Sequence, residues 1–235
     1  MQGAIYMTDS YVQEWDAIVE SVKDDKYIIL DKTAFYPQGG GQPTDTGVMI
    51  CDNIEYPVVF AGKFEGRISH EVSKPGLKPG DQVHCKIDWD KRYRLMRMHT
   101  SAHIIDAILY KEAGALCTGN QLGVEKTRID FALDVLDKEK IQQYVDMANE
   151  CVQKAIDIKV YTLPREEALK IPGIVKLASV MPPEVHELRI VEIPGIDLQA
   201  DGGTQVKNTS EIGKISLVSV ENKGKNNRRM YYTLD

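Results

Sequence analysis

The sequence predicts an α+β protein, a β-rich N-terminal part followed by helices laid against an antiparallel sheet. Three observations carry that expectation. Residues 1–88 hold short runs rich in β-branched and aromatic side chains, separated by turn formers. At Trp89 the pattern turns helical, with Leu95, Met98, Ala102, Ile105 and Leu109 three and four apart. Strand-like runs then return in the C-terminal third.

In chain order, Ala17–Val22, Tyr27–Leu30, Val48–Cys51, Tyr56–Ala61 and Val83–Ile87 read as strands. Their spacing fits a small barrel or a sandwich. Pro75-Gly76 and Pro79-Gly80 punctuate the approach to the last of them. The helix that opens at Trp89 runs to about Glu112, where Gly114 can stop it. A second helix is expected over 137–157, capped by Asp134 or Asp137. Arg165–Leu169 reads as a helical turn. Further strands are expected at Lys159–Leu163, Glu187–Ile193, Lys214–Glu221 and Arg229–Leu234. No internal repeat is visible.

Composition narrows the class of protein. The 235 residues allow one large or two small domains, and 43% hydrophobic with 27% charged residues is ordinary for a globular chain. No apolar run approaches the roughly 18–20 residues that span a bilayer. The N-terminus lacks a basic segment followed by an apolar core, so a cytoplasmic location is expected. Cys51, Cys85, Cys117 and Cys151 are far apart and form no CxxC pair, which points to reduced, mostly buried thiols. A net charge of −6 argues against coating nucleic acid by bulk electrostatics. It leaves room for two local basic clusters: Lys91, Arg92, Arg94 and Arg97, and then Lys223, Lys225, Arg228 and Arg229. Charge alone reads these as solvated surface.

The most informative short segment is MHTSAH, residues 98–103. His99 and His103 stand four apart on the expected helix, so their side chains lie one turn apart on one face and can share a metal ion. On a helical wheel both fall off the centre of the apolar stripe, flanking the core where a cleft can reach them. Position 100 is threonine rather than glutamate, so this is not the HExxH arrangement of metalloproteases. Two boundary histidines bonded to backbone or water would look the same, and a zinc site needs at least one more ligand.

Three further segments join the histidines: FYPQGGGQPTDTG at 35–47, GNQLGVEKTRIDF at 119–131 and DGGTQVKNTSEIG at 201–213. Together and in this order they resemble the editing region of alanyl-tRNA synthetase and its free-standing AlaX-type relatives. The resemblance spans about residues 20–232 and fits the medium-length free-standing form. It implies an α+β fold with a small, glycine-rich N-terminal β-barrel domain over 1–88. An α/β-sandwich editing domain with an antiparallel sheet would then occupy 89–235.

The resemblance also implies a site. His99 and His103 match the family's zinc-binding histidines. The last motif normally reads CGGTH, but here Asp201 stands in the Cys position and Gln205 in the His position. Aspartate can bind zinc through oxygen, whereas glutamine is a poor ligand that can hold a water. The expected centre is one Zn2+ on His99, His103 and Asp201 with water in the fourth position, the open arrangement of catalytic zinc. Loss of sulfur and imidazole leaves a weaker metal pocket as the alternative.

The implied reaction is deacylation of tRNA(Ala) mischarged with serine, or with glycine. Gln121 matches an active-site glutamine of the family, and Thr118 and Thr100 are candidates to bond the seryl hydroxyl. A pocket built around that hydroxyl would reject alanine. The implied tRNA contacts are Arg92, Arg94, Arg97, Lys223, Lys225, Arg228 and Arg229, which would position phosphates. Gly39–Gly41 reads as a structural turn rather than a ligand cradle. The other readings are a tRNA-binding module without catalysis and an editor of another tRNA, such as a threonyl-system substrate. The sequence does not choose between monomer and homodimer.

Overall fold

The computed structural model describes residues 3–172, 174 and 186–235. The chain forms two compact units, Met1–Met96 and Arg97–Asp235.

The first unit is built on six strands, β1 (Glu14–Lys23), β2 (Tyr27–Leu30), β3 (Gly47–Cys51), β4 (Ile54–Phe64), β5 (Arg67–Val72) and β6 (Gln82–Ile87). They close into an antiparallel barrel in the order β1-β2-β5-β4-β3-β6, so the barrel reading holds over the sandwich. The closing pair sets Trp15 opposite Cys85. Inward residues alternate along β1 as Trp15, Ala17 and Val19, and they meet Ile28, Met49, Val58, Val72 and Val83 in one core. Closure leaves no free sheet edge. The strand not expected from sequence is β5, whose inward positions are Ile68, His70 and Val72. A histidine in the middle of that face hides the apolar alternation.

His70 is accommodated because both ring nitrogens are used. Nδ1–H donates to the Ile28 carbonyl at 2.9 Å, and Nε2 accepts the Thr33 hydroxyl, also at 2.9 Å. Burial pulls its pKa down to about 4, only partly offset by the Ile28 carbonyl. The same core holds Cys85, whose thiol burial pushes well up; all four cysteines are free.

The glycine-rich segment folds as a tight hairpin turn. Gly39 and Gln42 exchange backbone hydrogen bonds at 3.1 and 2.9 Å, and Gly40 and Gly41 take φ values of 57° and 84°. Two consecutive positive φ angles define a type I′ turn and account for the glycines. The segment also carries Asp45, which accepts the Tyr36 amide at 2.6 Å and pairs with Arg92 inside the unit.

The long helix α1 (Trp89–Ala113) spans the boundary between the units. It is followed by β7 (Cys117–Gln121), β8 (Thr127–Phe131), α2 (Lys138–Gln153), β9 (Lys159–Pro164), α3 (Arg165–Ala168), β10 (Glu187–Ile193), β11 (Asp197–Ala200), β12 (Ile215–Asn222) and β13 (Arg228–Leu234). The antiparallel strands divide between two sheets, β12-β13-β8-β7 and β11-β10-β9. Of these strands β7, β8 and β11 were not expected; each has five residues or fewer, and polar residues make up at least half of each.

Asp137 caps α2, accepting the Glu139 and Lys140 amides at 3.0 and 3.1 Å. Ile141, Val145, Ala148 and Val152 form its buried face. The helix stops at Gln153, short of the expected end, and Ala155 beyond it takes the left-handed φ of 51°. Asn149 ties α2 to β12 through two 2.8 Å bonds with the Ile215 backbone. Among the described residues no helix is long and apolar enough to cross a membrane.

Candidate metal centre

Within the second unit, α1 departs from the expected single apolar stripe. Met98 through Ile105 and Ala107 through Leu109 are all buried, so this stretch of the helix is enclosed on every side. His99 and His103 therefore do not flank the core at its margin: each is only 5–6% exposed. Thr100 and Ser101 are fully buried beside them, which requires hydrogen-bond partners for each polar group. Ser101 finds Tyr232, whose hydroxyl also reaches the Met98 carbonyl at 2.9 Å.

The two imidazoles face a carboxylate from the far end of the chain. His99 Nε2 lies 3.6 Å from Asp201 Oδ1, and His103 Nε2 lies 3.9 Å from Oδ2. The ring centroids are 5.1 Å apart. Asp197, Gln199 and Asp201 follow one another two apart along and just beyond β11, so their side chains share one face. Asp197 Oδ2 accepts from His103 Nδ1 at 2.9 Å and from Gln199 Nε2 at 2.8 Å. His103 thus carries a proton on Nδ1 and presents Nε2 towards Asp201.

Asp201 is itself tightly held. Its amide donates to the Arg189 carbonyl at 3.1 Å, and Arg189 Nη1 donates to its backbone oxygen at 2.9 Å. The same guanidinium lies 3.8 Å from Oδ2, which also accepts the Gly203 amide at 3.0 Å and Gln205 Nε2 at 2.9 Å. Burial opposes ionisation of Asp201, but the charges of His99, His103 and Arg189 outweigh it and hold the carboxyl at about 2. Burial pulls His99 down to about 4, which keeps its imidazole neutral near pH 7. Burial also opposes protonation of His103, but the Asp197 bond and the Asp201 charge overcome it and raise that pKa.

These residues fit a divalent ion. One atom from each of His99, His103 and Asp201 comes within 4.8 Å of the others. Ligand atoms about 2.1 Å from a shared tetrahedral ion lie roughly 3.4 Å apart, so small side-chain movements close the set. Two imidazoles, one of them anchored by a carboxylate, and one carboxylate are a donor set that zinc accepts. Gln205, expected to hold a water, instead uses its amide nitrogen on Asp201 and its oxygen on the Thr100 hydroxyl at 2.7 Å.

The remaining expected site residues fall in several places. Thr118 and Gln121 lie exposed on the sheet-edge strand β7 and add no hydrogen bond to the network around the histidines. Thr100 is fully buried with its hydroxyl bonded to Gln205 and Val206, so it is not placed to meet a seryl hydroxyl.

The basic clusters also separate. Arg92, expected to contact tRNA, is fully buried: it pairs with Asp45 and donates to the Ser10 and Ala34 carbonyls, leaving no face for phosphate. Arg228 is 6% exposed and knits the β12–β13 turn through Asn222, Gly224 and Asn227. Arg229 is opposite Asp130 in the β13–β8 register and binds both its carboxylate oxygens, at 2.6 and 3.0 Å. Arg97 donates to the Ile212 carbonyl at 2.9 Å and to the backbone of Asp235. Arg94 is half-buried, whereas Lys223 and Lys225 are exposed at the hairpin tip.

Sequence reasoning missed Asp197 and Arg189. Neither sits in a recognisable motif; the period-two spacing of Asp197, Gln199 and Asp201 is the one signal that links the first to the site.

Residues 4–91 match the class II (A) tRNA synthetase family, and residues 188–231 match the second additional domain of threonyl and alanyl tRNA synthetases. Alanyl-tRNA editing protein AlaX-M of Methanosarcina acetivorans is 48% identical over 243 aligned positions, covering 100% of this chain and 99% of that protein. The protein of the same name from Saccharolobus solfataricus is 48% identical over 238, with the same coverage. Alanine--tRNA ligase of Staphylothermus marinus is 42% identical over 202 positions, covering 83% of this chain but 22% of the enzyme.

Proposed function

Because the chain belongs to the AlaX-M family of alanyl-tRNA editing proteins, we propose that it hydrolyses the ester of tRNA(Ala) mischarged with serine, and secondarily with glycine. The observation that carries this reading is the convergence of His99, His103 and Asp201 in a buried cluster.

Hydrolysis adds water across the bond between the aminoacyl carbonyl and the terminal ribose oxygen, releasing the amino acid and a free hydroxyl. In this reading His99 and His103 would hold one Zn2+ through Nε2, and Asp201 would hold it through its carboxylate. Zinc held there would supply Lewis acidity, lowering the pKa of water towards about 7 and polarising the ester carbonyl. Asp197 keeps the His103 lone pair on the metal side, and Arg189 keeps Asp201 ionised and fixed. Such fixed placement of reacting groups supplies much of an enzyme's rate. Thr118 and Gln121 offer an exposed hydroxyl and amide to the aminoacyl group. Lys223 and Lys225 supply phosphate contacts.

The test is deacylation of Ser-, Gly- and Ala-tRNA(Ala) with and without chelator. Chelator-sensitive loss of serine with alanine spared is the expected result, abolished by His99→Ala. Intact Ser-tRNA(Ala) in the presence of zinc-loaded protein would overturn the reading in favour of a binding module or another tRNA.

A further inference from the structure

Thr100 stands between the two site histidines on α1, fully buried and on neither of the ring nitrogens. Its hydroxyl oxygen accepts the Val206 amide at 3.2 Å and therefore turns its proton to Gln205 Oε1 at 2.7 Å. That contact decides which way the Gln205 amide points. With Oε1 held by Thr100, Nε2 faces Asp201 Oδ2 at 2.9 Å and His103 Nε2 at 3.4 Å. A primary amide flipped the other way would set its carbonyl oxygen against the carboxylate, two acceptors in contact at a buried site.

We propose that Thr100 is a positioning residue for the metal centre, acting through Gln205 to fix the Asp201 carboxylate between His99 and His103. The proposal rests on the metal reading above and goes beyond it. It explains why a glutamine is suited to its place beside Asp201. The amide oxygen is committed to Thr100 and is withheld from the metal, while the amide N–H restrains the one ligand that comes from a loop. Two of the ligands ride on a rigid helix, so the restraint is needed at Asp201 alone. It also gives the run His99-Thr100 a joint purpose: one helix carries two ligands and the hydroxyl that sets the third.

The test uses the full-length protein loaded with Co2+, with affinity measured by competition against a chromophoric chelator and the ligand field read from visible absorption. Thr100→Val keeps the volume and removes the donor. Loss of outer partners of a metal ligand typically costs about 10–100-fold in affinity, and Thr100→Val is expected to fall in that range with an altered Co2+ spectrum. Thr100→Ser keeps the hydroxyl and is expected to restore both. In a Gln205→Ala background, where the route from Thr100 to Asp201 is already cut, Thr100→Val is expected to weaken binding no further.

Wild-type affinity and spectrum in Thr100→Val would overturn the positioning role while leaving the metal reading intact. So would an equal loss in the Gln205→Ala background, since a packing defect does not depend on Gln205. Failure of the wild type itself to bind Co2+ or Zn2+ would overturn the metal reading and this inference together. Thermal melting of each metal-free variant identifies collapse of the fold, and Thr100→Ser carries the comparison if Thr100→Val does not fold.

Discussion

Arg92 and Asp45 form an ion pair wholly inside the first unit. Arg92 Nε lies 3.1 and 3.0 Å from the two carboxylate oxygens, and both side chains are at most 1% exposed. Removing one member of such a pair leaves an uncompensated buried charge, at a cost of about 3–5 kcal/mol. Arg92→Ala and Asp45→Ala are each expected to shift the chemical denaturation midpoint by an amount of that order. The salt dependence of tRNA binding by folded Arg92→Ala protein should match the wild type. A reduced salt slope would return Arg92 to the list of phosphate contacts.

Lys223 and Lys225 behave in the opposite way. Both are exposed, and Lys223 has one partner within its own hairpin, Glu221 at 3.3 Å. The double change to alanine should leave stability within about 0.5 kcal/mol. It should lower the salt slope of tRNA binding by about 1–2, since each phosphate contact contributes roughly 0.7–0.9. Binding titrations across a range of salt concentrations read this directly; an unchanged slope places the phosphate contacts elsewhere.

The ligand set proposed for the metal, His99, His103 and Asp201, holds no sulfur, and this predicts a response to thiol reagents. Iodoacetamide is expected to modify accessible cysteines without releasing zinc, measured by metal content after gel filtration. Asp201→Asn, which removes the negative charge, should release it at far lower chelator concentrations. Zinc release that tracks thiol modification would sink the assignment of Asp201. The oxygen donor should also let Co2+ and Mn2+ compete better than they do at a thiolate site.

His70 gives the first unit a pH dependence with a definite sign. Its folded-state pKa of about 4 lies below the ordinary 6.5, so the unfolded chain binds the extra proton between those values. The stability present above pH 6.5 is lost progressively as the pH falls through 4, by up to about 3 kcal/mol from this group. Denaturant titrations at pH 7 and pH 4.5 should show that loss in the wild type and a smaller one in His70→Gln. Equal losses in both proteins would acquit the histidine.

Much of this architecture was legible in the residues. The strands β1 to β4, β6, β9, β10, β12 and β13 announce themselves by β-branched side chains between turn formers, and α1 and α2 by their spacing. What stayed hidden has a common cause. His70 in β5 and Asp197 in β11 are accommodated by hydrogen bonds to partners distant in sequence, and no local pattern encodes those. The histidine pair was visible because a helix turns spacing into geometry. Asp197 was not visible, because it meets His103 across 94 positions of chain. The arginines misled for the same reason: charge reads as surface until a buried partner such as Asp45 is seen.

Strand β11 has one further consequence. It opens with the carboxylate that orients His103 and runs directly into the carboxylate that faces both histidines, while its register is set by Ile190 opposite Ala200 and Ile193 opposite Asp197. A slip of one residue would turn both carboxylates to the opposite side of the sheet at once. The cluster is therefore a gauge of how the β10–β11 hairpin is threaded. Whatever occupies it raises the free energy of opening that hairpin, and slowed amide exchange along 197–201 would record the occupancy without any assay of turnover.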